Sequence, residues 1–214
     1  MKKRAVSPDM KEKRRTAILD KAAALIVERP LSKIAMTDVA EALNIVKGTL
    51  YLYFQTKEDL FLTVLEREFA HWFLALEGEL EKVSGMSTSE LAQWITTSLE
   101  GRQALLTLIP VSETILENNI PTDKIKSYKE GLLREIKRIA PALQSKVGFA
   151  DERSVMEAFL FTHAAVVGLY YKAYPLAAVA KLLEDDALSG LRLNFARSLS
   201  LMLTGSFDGL LAGR

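Results

Sequence analysis

The stretch from Thr37 to Leu60, TDVAEALNIVKGTLYLYFQTKEDL, decides the fold of this chain. Its first part predicts a short helix, because Val39 and Leu43 recur at helical spacing and the hydroxyl of Thr37 can cap the first turn. Asn44 follows, and asparagine tolerates the left-handed backbone conformation that ends many helices. We therefore expect the chain to turn sharply just after this helix.

A second short helix is predicted over residues 47–54. Leu50 and Phe54 lie four residues apart, so both can face the first helix. Gly48 permits another molecule to approach the backbone closely. The side chains left to point away from this small core are Lys47, Thr49, Tyr51 and Tyr53. A short helix with such a surface is typical of a segment that enters the major groove of DNA.

The run KGTLYLYFQTKEDL, residues 47–60, resembles the DNA-binding domain of the TetR family of bacterial transcriptional regulators. Members carry a similar pattern at the same spacing, from the Lys-Gly-Thr-Leu-Tyr segment to the Lys-Glu-x-Leu segment. Two positions depart from that pattern. Asn44 stands where a glycine is common, which the turn can tolerate. Val46 stands where a serine commonly caps the second helix, so one cap and one phosphate contact are lost.

The resemblance implies an all-α protein. In it, an N-terminal three-helix helix-turn-helix DNA-binding domain is joined by a long helix to a C-terminal helical ligand-binding and dimerisation domain. It also implies DNA contacts: Thr49 and Tyr51 would meet base edges or a thymine methyl group, while Gly48 would let the backbone approach. Phosphate contacts would come from Thr37, Lys47, Tyr53 and Lys57, with Arg14 or Arg15 helping from the first helix.

Three segments are expected along the chain: a disordered basic tail at 1–10, the helix-turn-helix domain at 11–55 and the helical regulatory and dimerisation domain at 56–214. Leu31, Ile34 and Met36 are expected to fill the core of the second segment. Beyond the two short helices, helices are predicted over residues 11–28, 56–82, 88–107, 110–118, 122–139, 152–174, 177–184 and 187–203, with a link at 141–150.

Two helix starts have clear capping signals. Ser87 is followed three residues later by Glu90, which predicts a capping box, and Asp151 is placed to cap the helix that begins at residue 152.

The charges are distributed unevenly. The net charge is +1, but residues 1–60 contain 12 Lys and Arg against 8 Asp and Glu, and the remaining residues contain 16 against 19. The positive end is the end with the helix-turn-helix pattern, which favours contact with phosphates. For Lys2, Lys3 and Arg4 a solvated, frayed tail is an equally good interpretation.

Composition excludes several classes of protein. No cysteine is present, so disulfides and thiolate metal sites are ruled out, which fits the reducing cytoplasm. The longest nearly apolar run, Ala158 to Tyr171, is short for a membrane span and contains His163. We expect neither secretion nor membrane insertion.

The last two long helices carry more apolar surface than one core needs, which favours a homodimer built as a four-helix interface. The alternative is that these helices only complete the core of the monomer. For a small-molecule effector, the candidate pocket residues are Trp94, Glu113, Glu117, Tyr128, His163 and Tyr170, with Tyr171 beside them. Packing is the more common role for such aromatic residues and for His163, and solvent exposure is the safer interpretation of the two glutamates.

Enzymatic function finds little support. Glu68 and His71 form one Glu-x-x-His unit, but a di-iron bundle needs a second, and His163 has Leu160 at that position. No metal or cofactor is expected. A helical adaptor that binds another protein is the remaining alternative, although it does not explain the exposed side chains around Gly48. The expected function is therefore that of a homodimeric repressor that binds a palindromic operator and is released by a small molecule.

Overall fold

The computed structural model describes residues 8–212, and all regular structure in that range is helical. This confirms the all-α prediction. In chain order the α-helices are α1 (Pro8–Glu28), α2 (Met36–Ala42), α3 (Lys47–Tyr51), α4 (Lys57–Lys82), α5 (Thr88–Glu100), α6 (Gln103–Leu108), α7 (Thr122–Val147), α8 (Glu152–Ala173), α9 (Ala177–Leu182) and α10 (Phe195–Ala212).

Helices α1, α2 and α3 form a small head with its own buried side chains. Ile18 and Ala22 of α1 are completely buried, as are Val39 of α2 and Leu50 of α3. Leu31 and Ile34 of the connection between α1 and α2, and Met36 at the start of α2, are buried in the same core, as predicted. The head is therefore held together by apolar contacts from every one of its segments.

The head starts differently from the prediction at two points. Helix α1 begins by Pro8, because proline is tolerated in the first helical turn, where its missing N–H needs no partner. Residues 1–7 of the expected disordered tail lie outside the described residues. Thr37 does not cap α2. The N-cap is Ala35, whose N–H donates to the Asp38 carboxylate at 2.7 Å, and Thr37 lies within the first turn.

Helix α4 runs without interruption from the head into the rest of the molecule, which we call the body. Thr56 caps it, since the Asp59 N–H donates to the Thr56 hydroxyl at 3.0 Å. Its 26 residues make it about 39 Å long at 1.5 Å per residue. The apolar side chains that it buries are Leu60, Phe61, Leu62, Val64, Leu65, Phe69, Trp72, Phe73, Leu76 and Leu80.

The predicted helix over 88–107 is divided into α5 and α6 at Gly101 and Arg102. The predicted capping box at the start of α5 is present, with the Ser87 N–H donating to Glu90 at 2.8 Å. The break lets α6 turn toward α1 and α4, with which it makes contact. Leu105 and Leu106 are completely buried there, so α6 supports the head from the body side.

Helix α7 continues through Pro141, where the sequence predicts a link at 141–150. Proline removes one backbone hydrogen bond from a helix, yet other contacts hold this segment in place. The Lys146 ammonium donates to the carbonyl of Val83 at 2.9 Å, and the Met86 N–H donates to the Lys146 carbonyl at 2.8 Å. The helix ends at Gly148, which has a left-handed φ of 95°.

The end of the chain differs from the predicted helix over 187–203. Asp186–Leu191 forms a 3₁₀ turn, and α10 begins only at Phe195. Asn194 explains the later start, because its side chain accepts a hydrogen bond from the Arg197 N–H at 2.8 Å. Asp151 caps α8 as predicted, accepting from the Ser154 N–H at 2.8 Å.

Helix α8 is long and apolar enough, by length and composition alone, to cross a membrane, with a mean hydropathy of 1.2 over its best window. One such helix is weak evidence for a span, since core helices of soluble proteins meet the same criterion. Helices α7 and α10 both contact α8. That the chain is not inserted in a membrane stays a prediction.

Replacing Leu105 by alanine is expected to lower the free energy of unfolding by about 2–5 kcal/mol, because it leaves a cavity between α6 and its neighbours. Urea unfolding at fixed protein concentration measures the loss. Leu52→Ala is the control, since Leu52 is 78% exposed and should change stability by less than about 0.5 kcal/mol. An equal loss in both variants would contradict the proposed role of α6.

Candidate nucleic-acid interface and ligand cleft

Helices α2 and α3 are joined by a tight turn that sets their relative orientation. Asn44 has a φ of 53°, the left-handed conformation predicted for it. The Ile45 N–H then donates to the Ala40 carbonyl at 2.9 Å. Val46 lies before α3 without a side-chain cap, in agreement with the missing serine. The result is a helix-turn-helix with α3 on the outside.

Four of the predicted DNA-binding residues surround one shallow concavity at the surface of the head. The lining residues are Ser32, Lys33, Ile34, Ala35, Met36, Thr37, Lys47, Tyr51 and Lys57. Tyr51 is 42% exposed, and the Lys47 ammonium lies 5.7 Å from the centre of its ring. Three lysines and an accessible phenol therefore share one surface, which suits contact with phosphates and base edges.

Lys33 belongs to this surface but was not predicted as a DNA contact. It lies in a short 3₁₀ turn, Leu31–Lys33, between α1 and α2. Its neighbours Leu31 and Ile34 are buried, and the sequence indicated only a core role for that segment. The only feature of the sequence that could have indicated a DNA contact here is the positive charge of Lys33 beside two apolar residues.

Gly48 is exposed on α3 next to the concavity. No heavy atom outside its own chain neighbours lies within 4 Å of a Cβ placed at Gly48 in the described chain. Its backbone lies in the helix, so packing and conformation within the protein do not require a glycine here. An external surface that comes close to the backbone would require one.

Four other residues predicted to contact DNA lie outside the concavity. Thr49 and Tyr53 are half-buried, and Tyr53 packs against the core of the head. Arg14 is exposed, whereas the Arg15 guanidinium lies 5.6 Å from the centre of the Phe54 ring. None of these four residues lines the concavity.

A buried carboxylate joins the head to the body. Asp59, at the start of α4, is 8% exposed and accepts a hydrogen bond from the Gln55 N–H at 3.0 Å. The same oxygen lies 2.7 Å from the ammonium of Lys124 on α7. Burial raises the pKa of the neighbouring Glu66, an effect that the charge of Arg15 opposes. No role for Asp59 is predicted from the sequence.

Half of the predicted pocket residues come together in a cleft on the body. Glu113, Tyr128 and His163 line it, and Glu117 lies beside it, where its carboxylate is 2.8 Å from the Lys129 ammonium. The remaining lining residues are Lys129, Leu132, Leu133, Ile136, Met156, Phe159 and Leu160. The space open to the centre of a water molecule is about 150 Å³.

Two predicted pocket residues lie elsewhere. Trp94 of α5 is half-buried, with its ring 5.9 Å from that of Trp72. Tyr170 belongs to an aromatic cluster near the end of α8, where its ring centre is 5.1 Å from that of Tyr174. Tyr171 is in the same cluster, and its hydroxyl donates to the carbonyl of Pro110 at 3.2 Å. These residues pack within the body and do not line the cleft.

The cleft shifts the ionisation of its aromatic groups. Burial, together with the charges of Glu117, Glu66 and Glu113, raises the pKa of Tyr128. Partial burial lowers the pKa of His163 below its ordinary value of 6.5, while Glu113 opposes the change. At pH 7 the phenol is therefore protonated and the imidazole is uncharged.

A second space lies in the apolar interior of the body, between α4, α5, α7, α8 and α10. It shares two lining residues, Ile136 and Phe159, with the cleft. The other lining residues are Trp72, Phe73, Leu76, Leu91, Ile95, Ile139, Leu143, Phe149, Val155, Ala158, Thr162 and Phe207. The volume open to the centre of a water molecule is about 40 Å³. We call this space the core cavity.

Known proteins share both parts of this architecture. Residues 18–64 match the model of the bacterial regulatory proteins of the tetR family, and residues 66–214 match the tetracyclin repressor-like C-terminal domain. The first match contains α2 and α3 with their turn, and the second contains the cleft and the core cavity. Together they extend over most of the chain.

Two relatives that are similar in sequence are transcriptional regulators. The HTH-type transcriptional repressor KstR2 of Rhodococcus jostii is 28% identical over 120 residues, 56% of this chain and 58% of the relative. The HTH-type transcriptional regulator EthR of Mycobacterium tuberculosis is 43% identical over 54 residues, 25% of each chain. The matches thus span less than two thirds of these relatives.

A solved structure resembles nearly the whole fold. The transcriptional regulator FadR from Bacillus subtilis, in complex with stearoyl-CoA, has a TM-score of 0.53 at 16% identity, covering 89% of this chain and 98% of FadR. With a helix-turn-helix head, a long connecting helix and a C-terminal domain that matches over residues 66–214, this chain belongs to the TetR family of bacterial regulatory proteins.

Proposed function

We propose that this protein is a homodimeric transcriptional repressor that acts in the cytoplasm, binds a palindromic DNA operator and is released by a small-molecule effector. The observation that carries the proposal is the concavity beside α3. There Lys33, Lys47 and Lys57 surround Tyr51, and Gly48 leaves the helix backbone open to an approaching surface. Phosphate contacts would set the register on DNA, and α3 would supply the sequence preference.

The alternative of a protein-binding adaptor accounts for less. An adaptor would use apolar surface, whereas the concavity combines three lysines with hydroxyl groups. The di-metal alternative is weaker still, because the Glu68 carboxylate lies 3.3 Å from the Arg67 guanidinium and the family consists of regulatory proteins.

Release by an effector would pass through α7. This helix lines the cleft with Tyr128, Lys129 and Ile136. Near the start of α7, Lys124 pairs with Asp59 in the first turn of α4. A ligand that shifts α7 would therefore move the carboxylate that also holds the Gln55 N–H. Such couplings amount to about 1–3 kcal/mol, provided that the ligand binds the two states with different affinities. The stearoyl-CoA bound to FadR supports a small-molecule effector for this chain.

The dimer would use the outer faces of α8 and α10. Leu160 and Phe161 of α8 are 55% and 45% exposed, and Leu201 and Met202 of α10 are 73% and 48% exposed. Helices α8 and α10 contact each other within the chain, so their outer faces can form one apolar surface. A second copy that covers this surface would make a four-helix interface.

DNA binding can be measured by fluorescence anisotropy of a labelled duplex from the DNA flanking the gene, against a scrambled duplex, over a series of salt concentrations. Tyr51→Ala is expected to weaken binding to the flanking duplex selectively, by about 1–3 kcal/mol, because it removes a contact to base edges. Lys57→Ala should weaken binding to both duplexes and reduce the salt slope by about one, because it removes a phosphate contact. Equal losses for Tyr51→Ala on both duplexes would refute its reading role.

Replacing Gly48 by alanine separates folding from DNA binding. Stability should stay the same or rise by up to about 1 kcal/mol, since alanine favours helix and the added methyl group meets no atom of the protein. Affinity for DNA should fall, because the methyl group stands between α3 and the duplex. Gly78→Ala, equally open but placed on α4 in the body, is the matched control. Unchanged DNA affinity in Gly48→Ala would show that the backbone does not approach DNA.

Replacing Leu201 by glutamate should dissociate the dimer, because the carboxylate would be buried in the apolar interface. Sedimentation velocity should then give the monomer mass of 23.8 kDa, where the unaltered protein gives twice that value. Leu74→Glu on α4, where the leucine is 56% exposed, should leave the dimer intact. A Leu201→Glu protein that remains dimeric would place the interface on another surface.

A further inference from the structure

The cleft and the core cavity share the aromatic ring of Phe159 as part of their lining. Phe159 lines the cleft, the core cavity and a third small apolar space bounded by Phe69, Trp72 and His163. The core cavity is lined almost wholly by apolar side chains, whereas the cleft opens to solvent between charged groups. A molecule that used both spaces would place an apolar part inside and a polar part at the surface.

Carboxylates outnumber cations at the polar end. Glu113 and Glu117 provide two negative charges, and Lys129 provides one positive charge. His163 adds none at pH 7, since burial lowers its pKa. The charge balance at the cleft is therefore negative, and a cationic group can be bound there without leaving an unpaired charge.

Tyr128 provides an independent sign that the cleft binds a ligand. Tyr128 is only 4% exposed and lines the cleft, and its hydroxyl makes no hydrogen bond to another residue in the range 8–212. The hydroxyl is not fully enclosed, so a molecule in the cleft can reach it. Burial raises the pKa of this phenol, and the negative charges of Glu117, Glu66 and Glu113 raise it further. The N–H group of a ligand amine could donate to this hydroxyl, whereas a quaternary ammonium group would pair with the carboxylates and contact the aromatic ring.

An ammonium group already occupies this end of the cleft. The Nζ of Lys129 lies 2.8 Å from the Glu117 carboxylate, 3.9 Å from that of Glu113 and 5.5 Å from the centre of the Tyr128 ring. The contact with Glu117 has ion-pair distance but not hydrogen-bond geometry. The Lys129 side chain is 46% exposed, so it can move into solvent. A ligand cation could then take its place between the same carboxylates and the aromatic ring.

We propose that the effector is a cationic amphiphile, with an amine or quaternary ammonium group bound at Glu113, Glu117 and Tyr128 and an apolar chain in the core cavity. This inference rests on the proposed function, because it assumes that the cleft is the effector site. The core cavity is small in the unliganded protein, so an entering chain would displace Phe159 or separate α7 from α8. Movement of α7 would reach the head through Lys124 and Asp59.

The test compares decyltrimethylammonium, decylamine and decanoate below their micelle concentrations, with no DNA present. Trp72 lines the core cavity and Trp94 lies next to it, so tryptophan fluorescence reports on entry of the chain. Both ammonium compounds should bind about tenfold or more tightly than decanoate, a difference of about 1.4 kcal/mol. Binding of decanoate as tight as that of the ammonium compounds, or no saturable binding of any of the three, would overturn the proposal.

Charge variants sharpen the test. Lys129→Met removes the internal competitor and should strengthen binding of the ammonium compounds while it weakens binding of decanoate. Glu117→Gln and Glu113→Gln should weaken binding of the ammonium compounds. Glu130→Gln is the control, because Glu130 lies on α7 next to Lys129 but does not line the cleft. Its carboxylate is 3.8 Å from the Lys126 ammonium. If Glu117→Gln fails to fold, Glu113→Gln still decides the matter, since its carboxylate is 62% exposed.

Failure of this inference can be distinguished from failure of the proposed function. A protein that binds the flanking duplex selectively but prefers decanoate would remain a regulator with a different effector. A protein that binds the ammonium compounds but no DNA would retain the cation site and lose the repressor function. Weaker binding of decyltrimethylammonium to Lys129→Met than to the unaltered protein would overturn the assignment of the cation to this end of the cleft.

Discussion

The position of the DNA-binding head relative to the body depends on the buried carboxylate of Asp59. One of its oxygens accepts a hydrogen bond from the N–H of Gln55, a residue that follows α3 in the chain. The same oxygen pairs with the Lys124 ammonium on α7. A carboxylate at 8% exposure is costly to bury unless it is paired, so both contacts are needed together. Only the carboxylate is buried, since the Lys124 side chain is 39% exposed, so the costly change is the removal of Lys124, which leaves that carboxylate with one partner fewer. The pair therefore restricts which arrangements of head and body are compatible with a folded chain.

Other contacts act on the same joint. The Arg67 guanidinium of α4 pairs with Asp20 of α1 at 2.6 Å, and α6 supports α1 and α4 from the body side with Leu105 and Leu106. The apolar contacts provide most of the stability, because burial of each leucine contributes about 1.5–3 kcal/mol. The ion pairs determine which helices lie next to each other, since each pair joins two particular helices.

Local signals allowed much of the fold to be predicted from the sequence. The caps at Ser87 and Asp151 and the left-handed Asn44 depend on residues within four positions of each other, and all three are present. Pro141 shows the limit. The helix continues through it because Lys146 binds Val83, a contact between residues far apart in sequence.

The same limit applies to the candidate sites. The concavity could be predicted in large part because Thr37, Lys47, Tyr51 and Lys57 belong to one recognisable run. Lys33 could not, since it lies outside that run. In the body, Glu113, Tyr128 and His163 meet only through the packing of three separate segments. Their residue types alone could not distinguish them from Trp94 and Tyr170, which pack elsewhere.

Because α4 is long and uninterrupted, a small tilt at its body end displaces its other end, next to the head, by a larger distance. Over its length of about 39 Å, a tilt of about 5° at one end displaces the other end by about 3 Å. This is close to the rise between neighbouring base pairs, roughly 3.4 Å. In a symmetric pair the two α4 helices would swing together, so a rotation too small to break any helical hydrogen bond could shift each head by a base-pair step. In the proposed dimer, a stiff helix would thereby convert a rearrangement the size of one side chain into a mismatch with the DNA.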